Sequence, residues 1–351
     1  MPDFPQMVHR PMAHTRDDHA ISTGSASGDD TTLVWRIIAA YRRSVDAQSG
    51  GGFWQTDFAQ MKRDVHDALM SGDVQLVAQH LRNPAGNRLF YGFEAIFKGA
   101  VPTAAWLSEY SRLVHNQLMR LCEAVGIIKL ANPEAYNPGD PPPTLASPDE
   151  LLAFADEAFG FRIEFPNPYA EEFGLLTSRG IATLRSIDAL YQAWRLWSLC
   201  GRNAGARDVE IGGGLGRAAY CAHRIGIGSY TIIDIPLTCV AQAYHLGRTF
   251  GDHVIELEGE SLGRPIRIKS PTFSFEQADR YDIAFNSDSL PEIDPETASR
   301  YVEAMKARCG MFLSINHECF MPVRQTMGVP AEYRFPYWIR RGYVEELYRF
   351  S

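Results

Sequence analysis

The chain reads as an α/β protein: a Rossmann-like, doubly wound and mostly parallel sheet, preceded by a helical N-terminal region. Three observations lead there. From Asp208 onward, short β-branched runs alternate with helical stretches, the pattern of parallel strands joined by crossover helices. The first of these strands, in "DVEIGG", runs straight into a glycine-rich turn that opens a helix. Ahead of it, apolar residues recur at helical rather than alternating spacing.

Bulk properties are compatible with this. The chain has 351 residues, enough for one large domain or two ordinary ones. It is 45% hydrophobic and 22% charged, the balance of a globular chain with a sizeable core. The net charge of -8 disfavours nucleic acid or an anionic membrane as partner. Six scattered cysteines without a CxxC pair suit buried free thiols in a reducing compartment. No apolar run is long enough to span a membrane, and "MPDFPQMVHRPMAHTRDDHA" lacks the apolar centre of a signal peptide. The expectation is therefore a cytoplasmic protein.

The elements follow in order. Residues 1–30 are polar and end in "STGSASGDDTT", which predicts a disordered or loosely attached arm. Its histidines, His9, His14 and His19, are spaced by five and share no helical face. Residues 31–200 form the helical region. "TTLVWRIIAAYRRSV" and "LSEYSRLVHNQLMRLCEAVGI" each carry an apolar stripe. A Pro-rich linker lies near 131–148. "TSRGIATLRSIDALYQAWRLWSLCG" predicts a long helix capped by Thr177 or Ser178 and ended by Gly201. This region is expected to cover the mouth of an active site or to build a homodimer. Residues 201–351 form the ligand-binding domain. Strands are expected in "DVEIGG", "SYTIIDI", "YDIAFNSDSL" and "GMFLSINHE", with a helix over "DPETASRYVEAMKARCG". The tail "AEYRFPYWIRRGYVEELYRF" predicts a closing antiparallel strand pair, with Arg340 and Arg341 near enough to reach a substrate carboxylate or phosphate.

The glycine turn narrows the ligand. A dinucleotide loop needs G-x-G-x-x-G, but counting from Gly212 the third glycine position holds Arg217. The pattern present is E-x-G-x-G-x-G, with Glu210, Gly212, Gly214 and Gly216. A carboxylate before the turn suits a cationic ammonium and sulfonium, and repels a pyrophosphate. Asp234 ends the next strand, where an acid accepts hydrogen bonds from ribose hydroxyls. This is the loop of class I methyltransferases that bind S-adenosylmethionine. The chain resembles the sugar O-methyltransferases, a bacterial group of that class, through "VEIGGGLGRAAY", "YTIIDIP", "DIAFNSDSLPEI", "SINHE" and "YWIRRGYVEELY". The resemblance covers residues from about 177 to the C-terminus. It implies the fold, the cofactor and a small-molecule acceptor.

Candidate catalytic residues follow the two later strands. "FNSDSLPEI" offers Asn286 to the cofactor and Asp288 and Glu292 to the chemistry; "SINHECF" offers His317 and Glu318. His317 or Asp288 is the candidate base for a hydroxyl acceptor. Glu292 could instead cap the helix near Pro295. Asp288, Glu292 and Glu318 together also suit a cationic acceptor, a guanidine or amine such as free L-arginine. They suit a divalent metal holding two hydroxyls as well, a less favoured reading. A non-catalytic cofactor-binding subunit is a third reading.

Overall fold

The computed structural model describes residues 18–45, 60–92, 102–128, 146–271 and 279–350. Most of the Pro-rich linker and the histidines His9 and His14 lie outside the described residues.

The N-terminal part opens with strand β1 (His19–Thr23), then helices α1 (Thr31–Ser44), α2 (Arg63–Ser71), α3 (Val74–Arg82), α4 (Ala104–Ala124) and α5 (Pro148–Phe159). Strands β2 (Ala170–Thr177) and β3 (Gly180–Ala182) follow, and β1, β2 and β3 form a three-stranded antiparallel sheet. The loose arm expected over 1–30 is thus corrected at its C-terminal end. β1 is fixed because its ladder to β2 satisfies backbone groups that a solvated arm would leave to water. Asp30 is anchored as well. Its carboxylate accepts from Arg82 Nε at 2.9 Å and from the Tyr244 hydroxyl at 2.6 Å. Asp30→Ala should lower folding stability by about 1–3 kcal/mol, the cost of stranding buried polar partners. Urea unfolding measures it; an unchanged midpoint would show that Asp30 does not fasten the two regions.

The helix expected from Thr177 starts later, as α6 (Leu184–Leu199). Thr183 caps it: its hydroxyl accepts from Ser186 N, and Ser186 Oγ accepts from Thr183 N. That reciprocal box satisfies two end donors, whereas Thr177 and Ser178 belong to the β2–β3 hairpin.

The second part is β4 (Arg207–Ile211), α7 (Arg217–Ile225), β5 (Ser229–Ile233), α8 (Pro236–Phe250), β6 (Ile255–Glu256), β7 (Ile266–Lys269), β8 (Tyr281–Ser287), α9 (Pro295–Arg308), β9 (Cys309–His317), α10 (Val323–Met327), β10 (Tyr333–Pro336) and β11 (Tyr343–Arg349). Its eight-stranded sheet has the order β10-β11-β9-β8-β4-β5-β7-β6. Neighbours from β9 to β6 are parallel, and β11 runs antiparallel between β9 and β10. This is a Rossmann-like, doubly wound and mostly parallel sheet, closed by the antiparallel pair that the tail predicts. From β4 the chain passes to β5, out to the edge strand β6 and back to β7 between those two, then crosses to β8 on the other side of β4. The crevice at that reversal, beyond the carboxyl ends of β4 and β8, is where such sheets bind ligands. One hydrophobic core joins residues of α1, α4 and α6 to residues of β4's neighbours β5 and β8. Arg36 of α1 ties the two parts further, with Nε on Glu260 Oε1 at 2.8 Å and Nη2 on the Ile255 carbonyl at 2.8 Å.

Candidate functional site

A cavity of about 320 Å³ opens at the reversal point. The glycine turn and Glu210 form one wall and Asp234 another. Asp288, Glu292 and Asp294 come from the segment after β8, and Arg340 and Tyr343 from the closing strand pair. The N-terminal part contributes Gly92 and, from α6, Arg185, Asp188 and Gln192.

Glu210 is buried and accepts a hydrogen bond from the Tyr230 hydroxyl at 3.0 Å. Burial pushes its carboxyl up to about 8, against the pull of that bond. Asp234 follows β5. Its Oδ1 accepts from Ile235 N at 2.8 Å and its Oδ2 from Gln242 Nε2 at 2.7 Å. Burial pushes it up to about 7, opposed by these bonds and by the Lys62 ammonium nearby. Gln242 Nε2 also reaches the Gly214 carbonyl at 3.1 Å, so one amide pins the turn to the acid. Gly212 has φ 72°, and a Cβ there would lie 2.1 Å from Ser289 Oγ. The turn therefore needs glycine both for its left-handed backbone and for the close approach of the β8 segment.

Not every candidate residue reaches the cavity. Asn286, expected to touch the cofactor, is fully buried behind the turn: its Nδ2 donates to the Ile211 carbonyl at 2.7 Å and its Oδ1 accepts from Asn316 at 2.9 Å. It holds β4, β8 and β9 together instead. Gly216 starts α7 and packs on Leu246. Glu318 turns away, paired with Arg324 at 3.0 Å and Arg334 at 2.7 Å. Those two guanidiniums draw it toward the β10 side, and the three-acid cluster expected from sequence contracts to Asp288 and Glu292. Asp294, not Glu292, caps α9 by accepting from Thr297 N at 3.0 Å.

The two candidate bases are also revised. Asp288 Oδ2 accepts from Arg340 Nη1 at 3.0 Å and from Arg185. Burial alone would raise its pKa, but Arg185 and Arg340 overcome that and hold it below the usual carboxylate value. A carboxylate so stabilised has little appetite for a proton. His317 sits at the end of β9, behind the cavity wall. Its Nδ1 accepts from Cys319 N at 3.3 Å, which leaves the proton of the neutral ring on Nε2. Nε2 faces Glu292 Oε1 at 3.8 Å. Nδ1 thus already accepts one hydrogen bond, and Nε2 stands beyond hydrogen-bond distance of the Glu292 carboxylate.

Among the lining residues not singled out from sequence are Arg185, Asp188, Gln192 and Tyr343. The first three had a signal. They recur at i, i+3 and i+7 on a long, mostly apolar helix, a polar stripe on one face. Asp188 is buried, with Oδ1 accepting from Gln117 at 2.8 Å and from the Tyr337 hydroxyl at 3.2 Å, and burial pushes it up to about 6.

The residues fit a cationic, hydroxyl-bearing cofactor. Two buried oxygens of the cavity lining accept no hydrogen bond among the described residues, Asp288 Oδ1 and Asp294 Oδ2. Together with Glu210 and Asp234 they make an acceptor-rich lining that asks for donors and positive charge. Among the described residues no group of three or more His, Cys, Asp or Glu side chains could hold a metal, and no helix is long and apolar enough to cross a membrane.

No family model matches the chain, and no curated protein matches it. Solved structures align with part of the chain. The mitomycin 7-O-methyltransferase MmcR is 15% identical over 46% of this chain and 54% of its own, with a TM-score of 0.34. The CcbJ methyltransferase from Streptomyces caelestis is 12% identical over 47% of this chain and 90% of its own, TM-score 0.34. The ribosomal protein L11 methylase from Lactobacillus delbrueckii subsp. bulgaricus is 11% identical over 47% and 80%, TM-score 0.35. This chain spans about half the length of the mitomycin enzyme. Likeness at this level says nothing of substrate.

Proposed function

We propose that this chain is an S-adenosylmethionine-dependent methyltransferase acting on a small polar metabolite, with a sugar hydroxyl as the favoured acceptor. The observation that carries the reading is the pair Glu210 and Asp234. A buried carboxylate, Glu210, and a partly buried one, Asp234, close the ends of adjacent parallel strands around a glycine turn, and their desolvation makes both costly to ionise without a cationic or donor-rich ligand. Asp234 would accept from the ribose hydroxyls, and Glu210 would face the cationic end. When bound, the cofactor supplies a methyl group on a positively charged sulfur. Glu292 would take the acceptor's proton, with the His317 ring beside its carboxylate at 3.8 Å. Arg185 and Arg340 fix Asp288 as a permanent anion that can receive a hydrogen bond from the acceptor.

A nitrogen acceptor such as free L-arginine loses support. Of the three acids that favoured it, Glu318 lies outside the cavity and Asp288 already serves two guanidiniums.

Calorimetry on the full chain tests the cofactor. S-adenosylmethionine or its demethylated product should bind with a Kd on the order of micromolar, and NAD should not bind. Equal or tighter binding of NAD would overturn the reading. An acceptor screen by mass spectrometry, with and without chelator, then decides between oxygen and nitrogen; methylarginine as the product would replace the sugar reading.

A further inference from the structure

Arg185 and Arg340 enter the cavity from opposite parts of the chain, α6 and the loop before β11. Both spend one amino group on the same atom, Asp288 Oδ2. Neither makes another hydrogen bond among the described residues, so several of the five N–H donors of each guanidinium remain available. Arg340 is further fixed by stacking over the Tyr343 ring, 4.0 Å from its centroid. Asp288 keeps its other oxygen, Oδ1, buried and without a hydrogen bond; the Tyr343 hydroxyl lies near enough to help hold the carboxylate ionised. Asp288 itself has φ 69°, a left-handed backbone that costs a non-glycine residue energy and is kept where the surroundings impose it. The fourth charged neighbour, Asp188, spends Oδ1 on Gln117 and Tyr337.

Two guanidiniums with spare donors beside one carboxylate oxygen with a spare lone pair make a complementary pattern. It matches a ligand that presents oxyanion oxygens and a hydroxyl side by side. We propose that the acceptor is a hydroxylated acid, whose carboxylate or phosphate is held by Arg185 and Arg340 and whose neighbouring hydroxyl donates to Asp288 Oδ1. A neutral sugar would leave the guanidinium donors to water, and an amine would meet two like charges. The proposal rests on the cavity being the acceptor site of the methyltransferase reading, and it narrows that reading from polar metabolites to anionic ones.

Four hexoses that differ mainly in charge test it: glucose, glucosamine, glucuronate and glucose 6-phosphate. Each is titrated into the full chain by calorimetry in the presence of S-adenosylhomocysteine. At least one of the two anions should bind about tenfold or more tightly than glucose, the scale of one charge-assisted hydrogen bond. Glucuronate and glucose 6-phosphate, compared with each other, tell carboxylate from phosphate. Arg185→Gln and Arg340→Gln should each abolish the preference while S-adenosylhomocysteine still binds, which also shows that the variants are folded. If either variant does not fold, the charge series on the unaltered chain still decides. Anions that bind no better than glucose, including the absence of binding by all four, overturn the proposal. So does a preference that survives both substitutions. S-adenosylhomocysteine binding is read separately in the same titrations. Its failure alongside an arginine-dependent anion preference would remove the cofactor reading and leave the anion site standing.

Discussion

Glu292→Gln should lower turnover by about 10²–10⁴-fold, the usual contribution of a positioned general base, while cofactor affinity stays close to that of the unaltered chain. A hydroxyl is a poor nucleophile until its proton has somewhere to go. Among the candidates, Asp288 is disqualified by the two guanidiniums that hold it ionised. His317 is disqualified by the Cys319 amide on its only lone pair. Glu292 lines the cavity, stands half-exposed to it, and faces the Nε2 of His317. The amide variant keeps shape and hydrogen bonding but cannot accept the proton, so the loss should fall on kcat rather than on KM. His317→Ala should cost less than Glu292→Gln, because it removes a neighbour of the base rather than the base. Steady-state kinetics on both variants checks the order. A His317→Ala loss larger than that of Glu292→Gln would return the base to histidine.

The contrast between those three residues shows what sequence can and cannot convey. Strand, turn and helix around Glu210 were legible because their signals are local: β-branched runs, glycines at fixed offsets and a following acid. The late strands were legible for the same reason. The two-residue β6 and four-residue β7 gave too short a pattern to stand out from loop. The start of α6 was misplaced because Thr177 and Thr183 are both plausible caps, and only the pairing of β2 with β3 decides between them. Roles were less legible than elements. Whether Asp288 is a base or a fixed anion depends on Arg185, about a hundred residues away, and on Arg340. Whether Glu318 joins the site depends on Arg324 and Arg334. Lys62 is a sharper case. It is fully buried, donates to the Leu89 carbonyl and acts on Asp234 across the chain; burial pushes its ammonium down to about 6. Nothing in its neighbouring sequence marks it.

Asp234→Ala should weaken binding of S-adenosylmethionine by about 1–3 kcal/mol, roughly 5- to 150-fold, because the ligand's donors would lose a partly buried acceptor. Asp234 and Gly214 share one Gln242 amide, so the variant also loosens the turn from its support. The unaltered chain should show a proton signature at the same site. In the free protein, burial pushes Glu210 up to about 8 and Asp234 up to about 7. At pH 7 Glu210 is therefore mostly protonated and Asp234 about half so. A cationic ligand favours the ionised form of both, which means that binding must expel protons in this range. Affinity should accordingly rise as pH increases from about 6 to about 9, then level off where both groups are ionised in the free protein as well. Calorimetry at pH 7 in two buffers of different ionisation enthalpy reads the proton count directly. Asp234→Ala should reduce the released protons and leave the Glu210 share. Proton uptake on binding, or affinity that falls across that range, would mean that the ligand does not bring positive charge to these carboxylates.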